Sequence, residues 1–157
     1  MSCTSTLFEA EFIQALVSMF EVHIAFNKVL GIQIDSLEAD CVTAHLQMQP
    51  QLVGHFTHQR LHGGVISACL DAMGGLAVMA ALGARHMNES PKQRLARFGK
   101  LGTIDLRVDY LRPGKGDGFI VRASTVRLGS RVASTRMEFL DTTGVLLSTG
   151  CGTYIVS

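Results

Sequence analysis

With 157 residues, 47% of them hydrophobic and 17% charged, the chain is long enough for one sizeable core and short for two, and reads as a single domain over 1–157. A formal net charge of +1, no Trp and little aromatic interleaving among basic residues exclude a general nucleic-acid footprint, so an anionic ligand must be held locally. Cys3, Cys41, Cys69 and Cys151 lie far apart without a CxxC pair, and the N-terminus lacks the basic-then-apolar order of a signal peptide, which fits a reduced, cytoplasmic protein.

Over residues 7–27, Phe8, Phe12, Leu16, Phe20 and Ile24 recur every four positions with Glu9, Glu11 and Glu21 off the stripe, predicting one amphipathic helix within an N-terminal extension over 1–28. Phe8, Phe12, Phe20 and Phe26 read as its core residues, with an apolar channel wall as their second use. Residues 32–37 and 41–48 alternate at period two and predict a hairpin. The polar, aperiodic stretch 50–61 reads as a loop that delivers the chain to a second helix over 63–83. Residues 85–100, with Pro91, Lys92, Arg94, Arg97 and Lys100, read as an exposed excursion whose charges form a solvated face. Strand-like runs at 101–111, 119–128, 132–140 and 145–156 follow, divided by glycine-bearing turns. The order predicts an α+β plan in which a curved antiparallel sheet wraps one long central helix.

The run 65–84 is long and apolar enough to resemble a membrane span, yet Asp71 near its middle would cost about 2.5–3.5 kcal/mol on insertion scales. A helix enclosed by its own fold, without membrane insertion, is the better reading. A carboxylate in such surroundings calls for a reason, and catalysis outweighs a purely structural cap. The helix opens at His62-Gly63-Gly64, where unsatisfied N–H groups and missing side chains let a carbonyl oxygen approach and be polarised. Asp71 then supplies the nucleophile or general base. Eight residues separate Gly63 from Asp71, about 12 Å along one helix at 1.5 Å per residue, so the two cannot touch one carbonyl. A second copy of the helix, antiparallel to the first, would bring Gly63 of one subunit to Asp71 of the other, and Ser67, Ala68, Gly74 and Gly75 would permit that approach.

His62-Gly63-Gly64 followed by Asp71, together with the run from Gly102-Thr103-Ile104-Asp105 to Tyr110-Leu111-Arg112-Pro113-Gly114, resembles the hot-dog-fold acyl-CoA thioesterases of the PaaI-like group. The second run is most similar to the YigI type, described as acting on medium- and long-chain acyl-CoA. The resemblance covers about residues 30–154. It implies that the Gly63 amide polarises the thioester carbonyl, that Asp71 attacks or activates water, that Thr103 places that water and that His62 supports the loop. It also implies a homodimer at minimum, with a homotetramer of paired dimers expected, and neither metal nor cofactor. Many relatives carry Asn six residues before this His and Gly three before it, where this chain has Phe56 and Gln59. His55 and His58 are the candidate substitutes for the missing polar contacts.

His55, Phe56, His58 and Ser67 are accordingly expected along the substrate. Arg127, Ser130 and Arg131, or some of Lys92, Arg94, Arg97 and Lys100, are candidates for the phosphates of coenzyme A, because guanidinium groups match that geometry. The spacing of His55, His58 and His62 could suit a metal on a helix, but no acidic or Cys residue accompanies them in their loop. A hot-dog enoyl-CoA hydratase or dehydratase is the rival enzyme, suggested by Gly54-His55-Phe56, although Cys69 stands where its carboxylate belongs. An acyl-CoA binding module without turnover is the rival from another class.

Overall fold

The computed structural model describes residues 7–157, so Cys3 lies outside the described residues. Helix α1 (Ala10–Ser18) passes through one wide turn of π type, Met19–His23, into α2 (Ala25–Leu30). The single helix expected over 7–27 is therefore broken, with Ile24 extended at φ −79°, ψ 97°. The reason lies in the stripe itself. Residues repeated every four positions drift by about 40° per step on a helix of 3.6 residues per turn, and a wider turn takes up the accumulated drift. Phe20 thereby stays buried on the same side as Phe8, Phe12 and Leu16. The buried Asn27 amide donates to the Phe20 carbonyl at 3.1 Å and closes the break. Phe26 lies beyond it and is 60% exposed, which corrects its expected place in the core.

Strands β1 (Gln33–Leu37) and β2 (Cys41–Gln47) form the expected hairpin, in which Val42, Ala44 and Leu46 point inward at alternate positions. The stretch 50–61 is more ordered than a loop: β3 (Val53–His55) pairs with β4 (Arg60–Leu61) around a 3₁₀ turn at Phe56–His58. Helix α3 (Gly63–Arg85) follows, with Met73, Ala77, Val78, Met79 and Ala80 almost wholly enclosed. It has the length and hydropathy of a membrane span, but 67% of its apolar window is buried inside the fold.

Helix α4 (Pro91–Ala96) lies within the stretch expected as an exposed excursion, its start fixed by a reciprocal Ser90–Gln93 capping box. Lys92 and Lys100 are exposed as expected, whereas Arg94 is 1% exposed. Its guanidinium reaches Glu9 Oε2 at 2.5 Å and sits 4.4 Å from the centre of the Phe12 ring. Ion pairing and the ring face offset the desolvation that otherwise keeps Arg at the surface.

Strands β5 (Gly102–Tyr110), β6 (Gly118–Leu128), β7 (Val132–Asp141) and β8 (Leu146–Ile155) complete a six-stranded antiparallel sheet, in the order β1-β2-β6-β7-β8-β5. The β7–β8 turn is held by Asp141, whose Oδ1 accepts from the Thr143 and Val145 amides, while Gly144 takes φ +89°. Phe119, Val121, Ala133, Met137 and Phe139 face α3, so the concave side of the sheet closes around that helix in the hot-dog manner. β5 is an edge strand, with Ile104 and Tyr110 exposed.

Candidate active site

The start of α3 is capped by its own histidine. His62 is extended, at φ −66° and ψ 135°, and its Nδ1 accepts from the Gly64 N–H at 2.8 Å. The proton of the neutral ring then belongs on Nε2. Val65 N–H goes back to the His62 carbonyl at 2.9 Å. Gly63 N–H is left without an acceptor among the described residues, and the residue borders a groove shared with Arg60, Tyr110 and Arg112. Tyr110 Oη donates to the Gly63 carbonyl at 2.9 Å and steadies this peptide from β5.

Asp71, two turns further along α3, is half-buried and opens on a different space, a cavity of about 440 Å³. Its apolar wall comes from α3 (Ala72, Leu76, Met79) and from the N-terminal segment (Leu16, Phe20, Ile24). Thr103 Oγ1 donates to Asp71 Oδ1 at 2.8 Å from the far end of β5. Tyr154 Oη, from β8, lies 3.2 Å from the same carboxylate oxygen. The structure thus brings Asp71, Thr103 and Ser67 to one cavity and leaves Gly63 and His62 outside it. Ser67 Oγ donates to the Gly64 carbonyl at 3.1 Å while lining that cavity.

The remaining expected residues are dispersed. His55, Phe56 and His58 project from the β3–β4 hairpin, with Phe56 82% exposed and the two imidazoles 4.7 Å apart. No His, Cys, Asp and Glu group able to hold a metal ion occurs among the described residues. Gln59 occupies φ +46°, the left-handed region that favours glycine. Arg127, Ser130 and Arg131 are exposed near the β6–β7 turn at the C-terminal end of α3, where Arg85 donates to the Gly129 carbonyl at 3.1 Å. Cys69, which the hydratase reading would need as an acid, is buried and its thiol is pushed up to about 12.

Sequence reasoning missed Tyr110 and Tyr154, since each reaches its partner from a strand remote in sequence. It also missed Arg60 and Arg112 beside Gly63. Gly74, a glycine inside an apolar helix, was the available signal for Tyr154: a Cβ there would lie 2.1 Å from Tyr154 Oη.

This arrangement of helix and sheet occurs in proteins of known kind. Residues 58–148 match the thioesterase superfamily. The chain is 37% identical over 138 residues to the medium/long-chain acyl-CoA thioesterase YigI of Escherichia coli K12, covering 88% of this chain and 89% of that protein. A crystal structure related to the thioesterase superfamily, from Shewanella oneidensis, superposes with a TM-score of 0.89 at 38% identity, over 98% of this chain and 100% of that one. Mouse thioesterase superfamily member 2 shares the fold at a TM-score of 0.73 and 20% identity, over 96% of this chain and 100% of that one. Matched in sequence from the β3–β4 hairpin to β8 and in fold along its described length, the chain belongs to the thioesterase superfamily.

Proposed function

We propose that the chain, folded as a single domain over 1–157, is a cytoplasmic enzyme that hydrolyses medium- and long-chain acyl-CoA to free acid and CoA. Its two equivalent sites are each shared between copies related by a two-fold axis. The observation that carries this reading is the division of labour along α3: the free Gly63 N–H borders one groove and the Asp71 carboxylate faces another cavity. One chain holds both halves of an acyl-transfer site and cannot use them on one carbonyl. A two-fold that sets Gly63 of the partner subunit near Asp71 passes by Ser67 on α3. It also sets Tyr110 of the partner subunit near Thr103, which centres an antiparallel β5 pairing between Leu106 and Arg107. The free edge of β5 accepts that pairing. Back-to-back association of two such dimers gives the tetramer.

In the shared site the thioester oxygen accepts from the Gly63 amide at the helix start, where backbone donors favour the charge that develops on attack. Asp71 uses the carboxylate oxygen that neither Thr103 nor Tyr154 engages. It either adds to the carbonyl carbon, forming an anhydride that water then opens, or removes a proton from the attacking water. The carbon–sulfur bond breaks and the electron pair leaves with CoA as thiolate, which at an ordinary thiol pKa of about 8–9 needs no strong acid. The reaction as written uses no metal and no organic cofactor. The fatty chain occupies the apolar cavity below Asp71, each buried methylene contributing about 0.8 kcal/mol. Arg127, Ser130 and Arg131 take the CoA phosphates, and His55, Phe56 and His58 border the thioester end.

Mixing two inactive variants tests the shared site. Asp71→Asn removes one half. Gly63→Pro removes only the free N–H, because proline suits the first helical position and His62 already has the conformation a following proline requires. Refolding the two at equal ratio makes half of the dimers mixed, each with one intact site, so activity should return to about a quarter of wild type. No recovery in folded mixed dimers would sink the composite site. Single-turnover hydrolysis in ¹⁸O water then separates the two routes: an anhydride opened at the Asp71 carbonyl leaves the label on Asp71 and releases unlabelled acid, whereas general-base catalysis labels the acid.

A further inference from the structure

A buried polar contact on Asp71 is made by Tyr154. This side chain is 1% exposed, yet its hydroxyl stands 3.0 Å from the Asp71 carbonyl oxygen and 3.2 Å from Asp71 Oδ1, so one phenolic proton is shared between the backbone and the carboxylate of a single residue. Two glycines leave room for it. A Cβ on Gly74, one turn after Asp71, would lie 2.1 Å from Tyr154 Oη and 2.9 Å from Cζ. A Cβ on Gly152 in β8 would lie 2.8 Å from the ring Cε2 and 2.9 Å from Oη. Glycine in a helix interior costs about 1 kcal/mol relative to alanine, and at Gly74 that cost coincides with space for a hydroxyl group.

We propose that Tyr154 is a positioning residue for the reaction: with Thr103 it fixes Asp71 Oδ1 from the sheet side and leaves Oδ2 as the oxygen that meets the thioester or the water. The inference rests on the proposed role of Asp71. Thr103 donates to Oδ1 from β5 at 2.8 Å and Tyr154 approaches it from β8, so the carboxylate is gripped between two adjacent strands and its rotation about the last side-chain bond is stopped. Burial, with the Asp71 charge beside it, pushes the phenol well above the usual tyrosine range, and it therefore remains a donor at working pH. No lysine, arginine or histidine lines the cavity, and Asp71 and Tyr154 are its only titratable groups among the described residues. Thr103 and Tyr154 are thus the side chains that orient this carboxylate.

The test is Tyr154→Phe, which keeps the ring and removes one oxygen, measured beside Asp71→Asn and Gly74→Ala. Tyr154→Phe should lower kcat at least tenfold and leave KM within twofold, since the acyl cavity keeps its shape. Gly74→Ala drives its Cβ into the hydroxyl and should lower kcat by a similar factor. If Tyr154→Phe melts at a lower temperature but keeps kcat within twofold while Asp71→Asn is inactive, the tyrosine only ties α3 to β8 and the inference fails alone. If Asp71→Asn retains wild-type kcat, the assignment of Asp71 fails and this inference fails with it.

Discussion

Under the proposed function, the bulk at Ala72 bears on which acyl chains fit. Ala72 follows Asp71 on α3, is half-buried and lines the apolar cavity, so added bulk enters the cavity rather than the packed core. Ala72→Leu should therefore shorten the usable cavity and shift the preferred substrate to shorter chains. At about 0.8 kcal/mol per methylene, each one excluded lowers kcat/KM for the longest substrates about fourfold. Rates across a series of saturated acyl-CoAs check this, and an equal loss at every length would mean that the chain lies elsewhere. The residues at this scale were unequally legible. Asp71 and the glycines of α3 stood out because a carboxylate and small residues interrupt an apolar run. Tyr154 did not, because a tyrosine near the end of a strand looks like any core aromatic until β8 is seen to deliver it to α3.

The N-terminal segment acts as an element that covers α3, and its attachment is partly electrostatic. Phe12 packs where a Cβ on Gly83 would come within 2.6 Å of the ring, and Arg94 closes over the other side of Phe12 while holding Glu9. The Arg94 side-chain hydrogen bond keeps the Glu9 carboxyl below its ordinary value of 4.5. A group so depressed contributes its full stabilisation above that ordinary value and loses it as pH falls through the lowered one. Glu9→Gln should accordingly lower Tm at neutral pH and flatten the fall of Tm below pH 4.5; a parallel acid fall in both proteins would remove Glu9 from the account. The element pattern was well marked where one period repeats, as in the alternation of β2 and β7, and misleading where two effects compete. A strict spacing of four residues looked like one helix, whereas the drift it builds up requires the wide turn at Met19–His23. The charges of 85–100 looked solvated, and only the approach of Glu9 and Phe12, far away in sequence, places Arg94 inside.

At the scale of the whole molecule, the exposed edge of β5 is the feature the single chain leaves open. Strand edges with bare backbone donors and acceptors invite pairing, and natural proteins protect them with charge, bulges or a partner. β5 carries a bulge between Thr103 and Asp105 and an Arg107–Asp109 ion pair, but Ile104, at the bulge itself, remains 56% exposed and the loop end at Leu111 is 51% exposed. In the proposed dimer, pairing β5 with its two-fold copy would cover these side chains, extend the sheet from six strands to twelve and join the two halves of each site in one step. Ile104→Glu places a negative charge in that seam opposite Asp109 of the other copy, since a pairing centred between Leu106 and Arg107 sets 104 against 109, and it leaves Asp71, Gly63 and Thr103 unchanged. Sedimentation equilibrium should show a shift toward monomer, and hydrolysis should fall in proportion to the dimer lost, recovering as protein concentration rises. A monomeric Ile104→Glu protein with wild-type kcat would place both the amide donor and the carboxylate for one thioester within a single chain, against the roughly 12 Å that α3 sets between them.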